Sequence, residues 1–248
     1  RLGRAMALYL AERGHDVALH YATSAAAAED VAEQARALGV RAVTLRADLL
    51  DEAATAALIP AAARALEGPL TVLINNASIF DHDTIHSATL DSWNRHLGSN
   101  LRAPFVLTQV FAAQAVAADT DVADEPVARN LIVNMIDQRV RKLTPEFMTY
   151  TIAKMGLWAM TRTTAQALAP AIRVNAIGPG PTLQGARQST EHFARQRAGT
   201  VLGRGANPSD ITAALGYFLD SPAVTGQLLC VDGGQHLGWQ TPDILGVE

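Results

Sequence analysis

From end to end the chain alternates short β-branched runs with longer alanine-rich stretches of helical period. That alternation restricts it to parallel strands joined by crossover helices. Strands are predicted at Val17–Tyr21, Arg41–Leu45, Thr71–Asn75, Asn130–Met135, Ile172–Ala176 and Leu228–Val231. Helices are predicted over 2–13, 24–38, 51–67, 98–117, 149–168 and 208–220. Gly14, Gly39 and Gly68-Pro69 fall just past helix ends, where a left-handed cap residue belongs. Asp119 to Glu125 carries four carboxylates without a strong period and reads as a surface loop. No internal repeat or long linker divides the 248 residues. The expected class is α/β, a doubly wound parallel sheet in a single domain spanning 1–248.

Apolar residues make up 49% of the chain, enough for a large core, and only 18% are charged. The net charge of −4 gives no electrostatic reason to expect nucleic acid or an anionic membrane as a partner. The densest basic stretch, Arg139-Val140-Arg141-Lys142, reads as a solvated loop rather than a phosphate-tracking groove. Cys230 is the only cysteine, so no intrachain disulfide can form and a reducing compartment is the default. The apolar stretch Ala5 to Ala11 is flanked by Arg4, Glu12 and Arg13, unlike a signal peptide. No window reaches the ~18 uncharged apolar residues of a membrane span. A soluble, cytoplasmic protein without a metal site is expected.

Leu2, Met6 and Leu10 give an amphipathic helix from the first residues. In a doubly wound sheet the first strand is central, and the turn after it carries the phosphate-binding glycines. A helix opening with Arg1-Leu2-Gly3 therefore reads as the second half of a strand–turn–helix unit. A strand and glycine-rich turn are expected before Arg1; the other reading is a protein that starts with this helix.

Tyr150 and Lys154 lie four apart in a helical pattern and share one face. A phenol with a pKa near ~10 is a poor acid–base catalyst at neutral pH unless a nearby cation favours its phenolate. An ammonium one turn away supplies that charge and can also bind the ribose hydroxyls of a nicotinamide cofactor. The chain has four tyrosines but only two lysines, Lys142 and Lys154. Chance alone gives such a pair in about 3 of 100 chains. Asn75-Asn76-Ala77-Ser78 ends a predicted strand, where two amides can tie neighbouring strands and leave backbone groups facing a crevice. A plain Asx-rich turn is the alternative.

Asn75-Asn76-Ala77, Asn100, Tyr150-x-x-x-Lys154 and Arg173-Val174-Asn175-x-x-x-Pro179-Gly180 together resemble the short-chain dehydrogenase/reductase family, over essentially the whole chain. Val231-Asp232-Gly233-Gly234 fits that family's C-terminal end. The resemblance implies a Rossmann-type fold with the cofactor on the carboxyl edge of the sheet. It further implies Tyr150 as proton donor, Lys154 as orienter of the ribose, and Asn100 as holder of a water in a proton relay. Cofactor contacts implied in the same way involve Arg1, Leu2, Asp48, Leu49, Asn76, Ala77, Ser78, Pro179, Gly180 and Thr182, with Asp48 accepting from the adenine amino group. Assembly into a homotetramer is also implied. Apolar residues on more than one face of the helices at 98–117 and 149–168 agree with burial on two sides.

One departure is informative. The family usually places a serine thirteen residues before the tyrosine, and this chain has Asp137 there. An ionised carboxylate only accepts hydrogen bonds, so it suits a substrate with N–H donors. That substitution resembles the pteridine reductase branch, which reduces pterins and folates. Arg1 two residues before Gly3, Ser78-Ile79-Phe80 after the asparagines, and Thr182 after Pro179-Gly180-Pro181 resemble the same branch. There the phenylalanine stacks on the pteridine. The substrate contacts so implied are Arg1, Ser78, Phe80, Asp137 and Tyr150. Each match has a second reading: Phe80 as a core aromatic, Arg1 as a surface cation, Asp137 as a cap of the loop after its strand.

NAD-selective enzymes place a carboxylate after the second strand for the ribose 2′-hydroxyl. Here Tyr21-Ala22-Thr23-Ser24 has none, and Thr23 and Ser24 with free N–H groups at a helix start suit a 2′-phosphate, so NADP is expected. The branch often has a histidine and an arginine where Ala22 and Thr23 stand. The expected activity is NADPH-dependent reduction of a pteridine C=N bond. A carbonyl reductase or alcohol dehydrogenase of the same family, and an NADP-binding sensor without turnover, are the alternatives.

Overall fold

The computed structural model describes residues 1–185 and 188–241. The first half runs α1 (Leu2–Glu12), β1 (Val17–Tyr21), α2 (Ala25–Ala37), β2 (Ala42–Arg46), α3 (Glu52–Ala65), β3 (Val72–Asn75), α4 (Leu90–Leu97) and α5 (Ala103–Gln114). The second runs β4 (Asp119–Thr120), β5 (Pro126–Val127), β6 (Asn130–Met135), α6 (Met148–Ala167), β7 (Ile172–Pro179), α7 (Thr190–Ala198), α8 (Pro208–Asp220) and β8 (Leu228–Val231). The long strands pair in parallel, as crossover helices require.

β6 lies between β3 and β7, and all six of its residues are buried. Side chains alternate across a strand, so a strand covered on both faces must be apolar on both. Leu131, Val133 and Met135 meet α1 and α8 through Met6, Leu10, Leu215 and Phe218. Ile132 faces the other layer, with Leu107 and Phe111 of α5 and Leu58 and Ile59 of α3. The helices thus clothe both faces of the sheet, as a doubly wound fold demands.

The expected single sheet is hydrogen-bonded as two parallel ladders, β1–β2 and β3–β6–β7–β8. Between β1 and β3 lies a cavity of about 660 Å³ lined by both strands and by α1 and α3. Its rim reaches Asn76 and Ala77, but Asp137, Tyr150 and Lys154 are not among its walls.

The helix predicted over 98–117 begins instead with a π-helical turn, Gly98–Arg102, ahead of α5. α4 precedes it and was not anticipated, because its eight residues are mostly polar. A reciprocal cap holds its start: Ser92 N–H donates to Thr89 Oγ1 at 3.1 Å, and Thr89 N–H donates to Ser92 Oγ at 3.0 Å. α7 was missed for the same reason; Ser189 caps it by accepting from His192 N–H. Gly14 and Gly39 take left-handed φ of 83° and 90° as expected, but after α3 that conformation falls on Glu67 rather than Gly68. The acidic loop folds back as the short β4–β5 hairpin. Phe105 of α5 and Ile152 and Met155 of α6 remain exposed. Among the described residues no helix is long and apolar enough to cross a membrane.

Candidate active site

Parallel strands deliver their following loops to one edge, so residues far apart in sequence converge there. Thr23 and Ser24 follow β1, Asp48 follows β2, Asn76 to Ser78 follow β3, Asp137 follows β6, and Gly180 and Thr182 follow β7. Buried amides fix this edge: Asn75 Nδ2 donates to Asn134 Oδ1 at 2.8 Å, and Asn134 Nδ2 donates to Thr161 Oγ1 at 2.9 Å. β3, β6 and α6 are thereby locked in register. Arg173 and Asn175 serve the fold, not the site. Their side chains bind carbonyls at the end of α8 and in the loop before β8.

Tyr150 and Lys154 sit on the buried face of α6, only 5% and 2% exposed. The Tyr150 hydroxyl donates to Asp137 Oδ2 at 3.0 Å. Asp137 also caps the turn after β6, its Oδ1 accepting from Arg139 N–H at 2.8 Å. The capping reading of Asp137 therefore holds through Oδ1, while Oδ2 faces the Tyr150 hydroxyl. Lys154 Nζ donates to the Met135 carbonyl at 2.9 Å, which leaves two of its three N–H groups for another partner.

The electrostatics of the pair are set first by burial. Burial, and next the Asp137 carboxylate, push Tyr150 well above the ordinary phenol range. Burial also pushes Asp137 up, against the opposing pull of Arg139 and Tyr150. Burial brings Lys154 down to about 8, with Asp137 opposing. Tyr150 is thus held as a phenol, its hydroxyl pointing at Asp137.

Phe80 is 42% exposed and is not a core aromatic. Its ring stacks on Phe147, centroids 4.3 Å apart and 6° from parallel, and meets Tyr150 edge-on at 4.6 Å. The Ser78 hydroxyl donates to the Ile79 carbonyl at 3.3 Å. Phe147 holds a left-handed φ of 57° just before α6, and the Arg139 guanidinium lies 5.0 Å from its ring centroid. Arg141 lies 5.8 Å from the Trp158 ring, and both it and Lys142 are exposed, as expected of a solvated loop. Sequence reading missed Phe147 and Arg139; the only hint was a cation two residues after Asp137.

Asn100, buried within the π-helical turn, uses both polar ends on one residue. Its Nδ2 donates to the Ile79 carbonyl at 2.8 Å and its Oδ1 accepts from Ile79 N–H at 2.9 Å. It fixes the backbone between Ser78 and Phe80, a role not anticipated beside the expected water-holding one. The Arg1 guanidinium is bonded to the Gln184 carbonyl in the loop after β7. Thr182 is buried with its hydroxyl on the Gly180 carbonyl. Asp48 Oδ1 accepts from Leu50 N–H, and Leu49 is buried against the α3–α5 layer.

A parallel α/β sheet whose carboxyl edge carries a buried Tyr–Lys pair beside an acidic acceptor defines a class of nucleotide-dependent oxidoreductases. A family model described as enoyl-(acyl carrier protein) reductase matches residues 2–236, and the chain belongs to the short-chain dehydrogenase/reductase family. An uncharacterized oxidoreductase of Mycobacterium tuberculosis is 35% identical over 98% of this chain and 92% of its own length. FolM alternative dihydrofolate reductase 1 from Brucella suis, crystallised with NADP, is 40% identical with a TM-score of 0.90, covering 98% of this chain and 94% of that one. The Brucella canis protein of the same name, also complexed with NADP, is 39% identical with a TM-score of 0.88, covering 99% and 93%.

Proposed function

We propose that the chain is an NADPH-dependent reductase of pteridine-type C=N bonds, acting on a dihydropterin- or dihydrofolate-like substrate. The observation that carries this reading is the Tyr150 phenol donating to Asp137 at 3.0 Å beside the Phe80 ring. A carboxylate that only accepts hydrogen bonds disfavours a developing alkoxide and favours the N–H-rich edge of an amino-pyrimidine. The likeness to two alternative dihydrofolate reductases supports the same substrate class.

The residues present fit NADP. Ser24 opens α2 without spending its hydroxyl on a cap, so that oxygen is open to a 2′-phosphate at the helix start, although the Ala25 N–H is taken by the Thr23 carbonyl. A side chain on Gly180 would fall 2.5 Å from Asp232 Cβ and 2.6 Å from its Cα, so that approach requires glycine, whereas one on Gly3 would meet only the Asn76 amide end at 2.8 Å. Arg1 and Leu2 opening α1, Thr23, Asp48, Leu49, Asn76 to Ser78, Pro179 and Thr182 complete the proposed contacts. When bound, NADPH supplies the hydride. Tyr150 holds the proton at its hydroxyl and delivers it to the substrate nitrogen. Asp137 holds that phenol in line and accepts from the substrate's amino edge, while Lys154 binds the ribose hydroxyls.

The cofactor assignment gives two expected results. NADPH should bind more tightly than NADH, because a 2′-hydroxyl cannot use the charge-seeking N–H groups at the α2 start; equal affinities in a fluorescence titration would remove this argument. Lys154 carries an ammonium below about 8 and is neutral above it. Raising the pH through that value should therefore raise the NADPH dissociation constant. A constant that is flat across the range would take Lys154 out of cofactor binding. The reading as a whole is tested by turnover: NADPH oxidation with a dihydropterin or dihydrofolate, set against simple ketones.

A further inference from the structure

Behind the Tyr150 cluster lies a second polar chain that the proposed chemistry does not use. Asp83, Thr149 and His96 are 2%, 2% and 0% exposed and come from the loop after β3, the start of α6 and α4. Asp81 N–H donates to His96 Nε2 at 3.1 Å. That bond makes Nε2 the acceptor, so Nδ1 carries the proton and donates to Thr149 Oγ1, 2.7 Å away. The Thr149 hydroxyl in turn donates to Asp83 Oδ2, which also accepts from Ser92 Oγ at 3.0 Å. Ser92 Oγ is shared with the Thr89 carbonyl at 3.1 Å, but from Asp81 N–H through His96 and Thr149 to Asp83 the bonds run in a single direction.

Asp83 also caps α6 from outside the helix. Phe147 at the N-cap position makes no side-chain cap bond. Thr149 N–H donates to Asp83 Oδ1 at 3.1 Å, and Met148 N–H donates to the Asp83 carbonyl at 3.2 Å. Burial pushes Asp83 up, but the bonds from Thr149 and Ser92 together hold it below the usual carboxylate range. Burial likewise lowers His96, in keeping with a neutral ring. The His96 ring meets the Tyr150 ring edge-on, centroids 6.0 Å apart.

We propose that Asp83, Thr149 and His96 are positioning residues: their directed chain locks the 79–83 segment, which carries Phe80, onto the start of the helix that carries Tyr150. Substrate platform and proton donor are then held at one fixed spacing. This rests on the reading of Tyr150 as the proton donor. None of the three residues is among the proposed cofactor contacts, so loosening the chain disturbs substrate alignment and leaves cofactor binding alone.

Thr149→Val tests this, because it removes the hydroxyl and keeps the backbone N–H that caps α6. Thr149→Ser keeps the hydroxyl and serves as the conservative rescue. With the enzyme saturated by NADPH and a substrate the parent reduces, Thr149→Val should lose roughly 10-fold in kcat/KM, the scale of one hydrogen bond. The NADPH dissociation constant should not move, and Thr149→Ser should retain parental kcat/KM. Nitrogen NMR of His96 should report the neutral Nδ1–H tautomer in the parent. Parental kcat/KM in Thr149→Val, equal losses in both variants, or an Nε2–H or doubly protonated His96 would overturn the proposal. Tyr150→Phe is run alongside. If that variant loses turnover while Thr149→Val keeps it, only the positioning role fails. If Tyr150→Phe keeps turnover, the proton-donor reading fails and the positioning role goes with it.

Discussion

Replacing Tyr150 with Phe is expected to lower kcat by about 10²–10⁴-fold, the range for losing a general acid, with the NADPH dissociation constant nearly unchanged. The substitution removes one oxygen and keeps the ring that packs against Phe80 and His96. Lys154 retains its bond to the Met135 carbonyl, so its ammonium stays where the ribose would need it. Asp137 loses only the donor on Oδ2 and keeps the Arg139 N–H on Oδ1. Steady-state NADPH oxidation and a cofactor titration on the same preparation separate the two effects. Retention of most activity would remove Tyr150 from proton delivery.

The second large effect is expected from Asp137→Ser, and it should differ between substrates. A serine hydroxyl keeps one acceptor oxygen for the Arg139 N–H, so the turn after β6 should survive. What disappears is the charge. Hydrogen bonds to a charged group contribute about 1.5–3 kcal/mol. Pterin turnover should therefore fall by roughly 10- to 150-fold in kcat/KM, at ~1.4 kcal/mol per decade. A simple ketone, whose oxygen needs a donor at this position, should be reduced as well as before or better. Parallel loss of both activities would make Asp137 a part of the general proton path or of the fold rather than a substrate contact.

The sheet was legible because its strands announce themselves by local composition. Asn130 to Met135 is apolar on both faces, as a strand covered on both sides must be. α4 and α7 were illegible because short polar helices held by Thr89 and Ser189 caps have little apolar period to read. The left-handed residue after α3 was placed on Gly68 from propensity, and Glu67 adopts it instead. Within the site, the Tyr150–Lys154 spacing on one helix face could be read from the chain, and so could the candidacy of Asp137. The protonation of Tyr150 could not. Sequence shows the nearby lysine, but not the depth of burial that, with Asp137, pushes the phenol up. Arg139 looked solvated because nothing local places it against Phe147. The Asp83–Thr149–His96 chain was invisible for the same reason, since it exists only where α4 packs on α6.

The central claim is reduction of a pteridine-type C=N bond by NADPH, and one measurement addresses it directly. The protein is offered NADPH with dihydrobiopterin, dihydrofolate and a set of simple ketones, and kcat/KM is taken for each from the rate of NADPH oxidation. The account expects a dihydropterin or dihydrofolate to be the best substrate by at least about 10-fold, the least that one charged hydrogen bond to Asp137 supplies. Efficient ketone reduction with no turnover of any pterin or folate would contradict it and make the protein a carbonyl reductase of the same family.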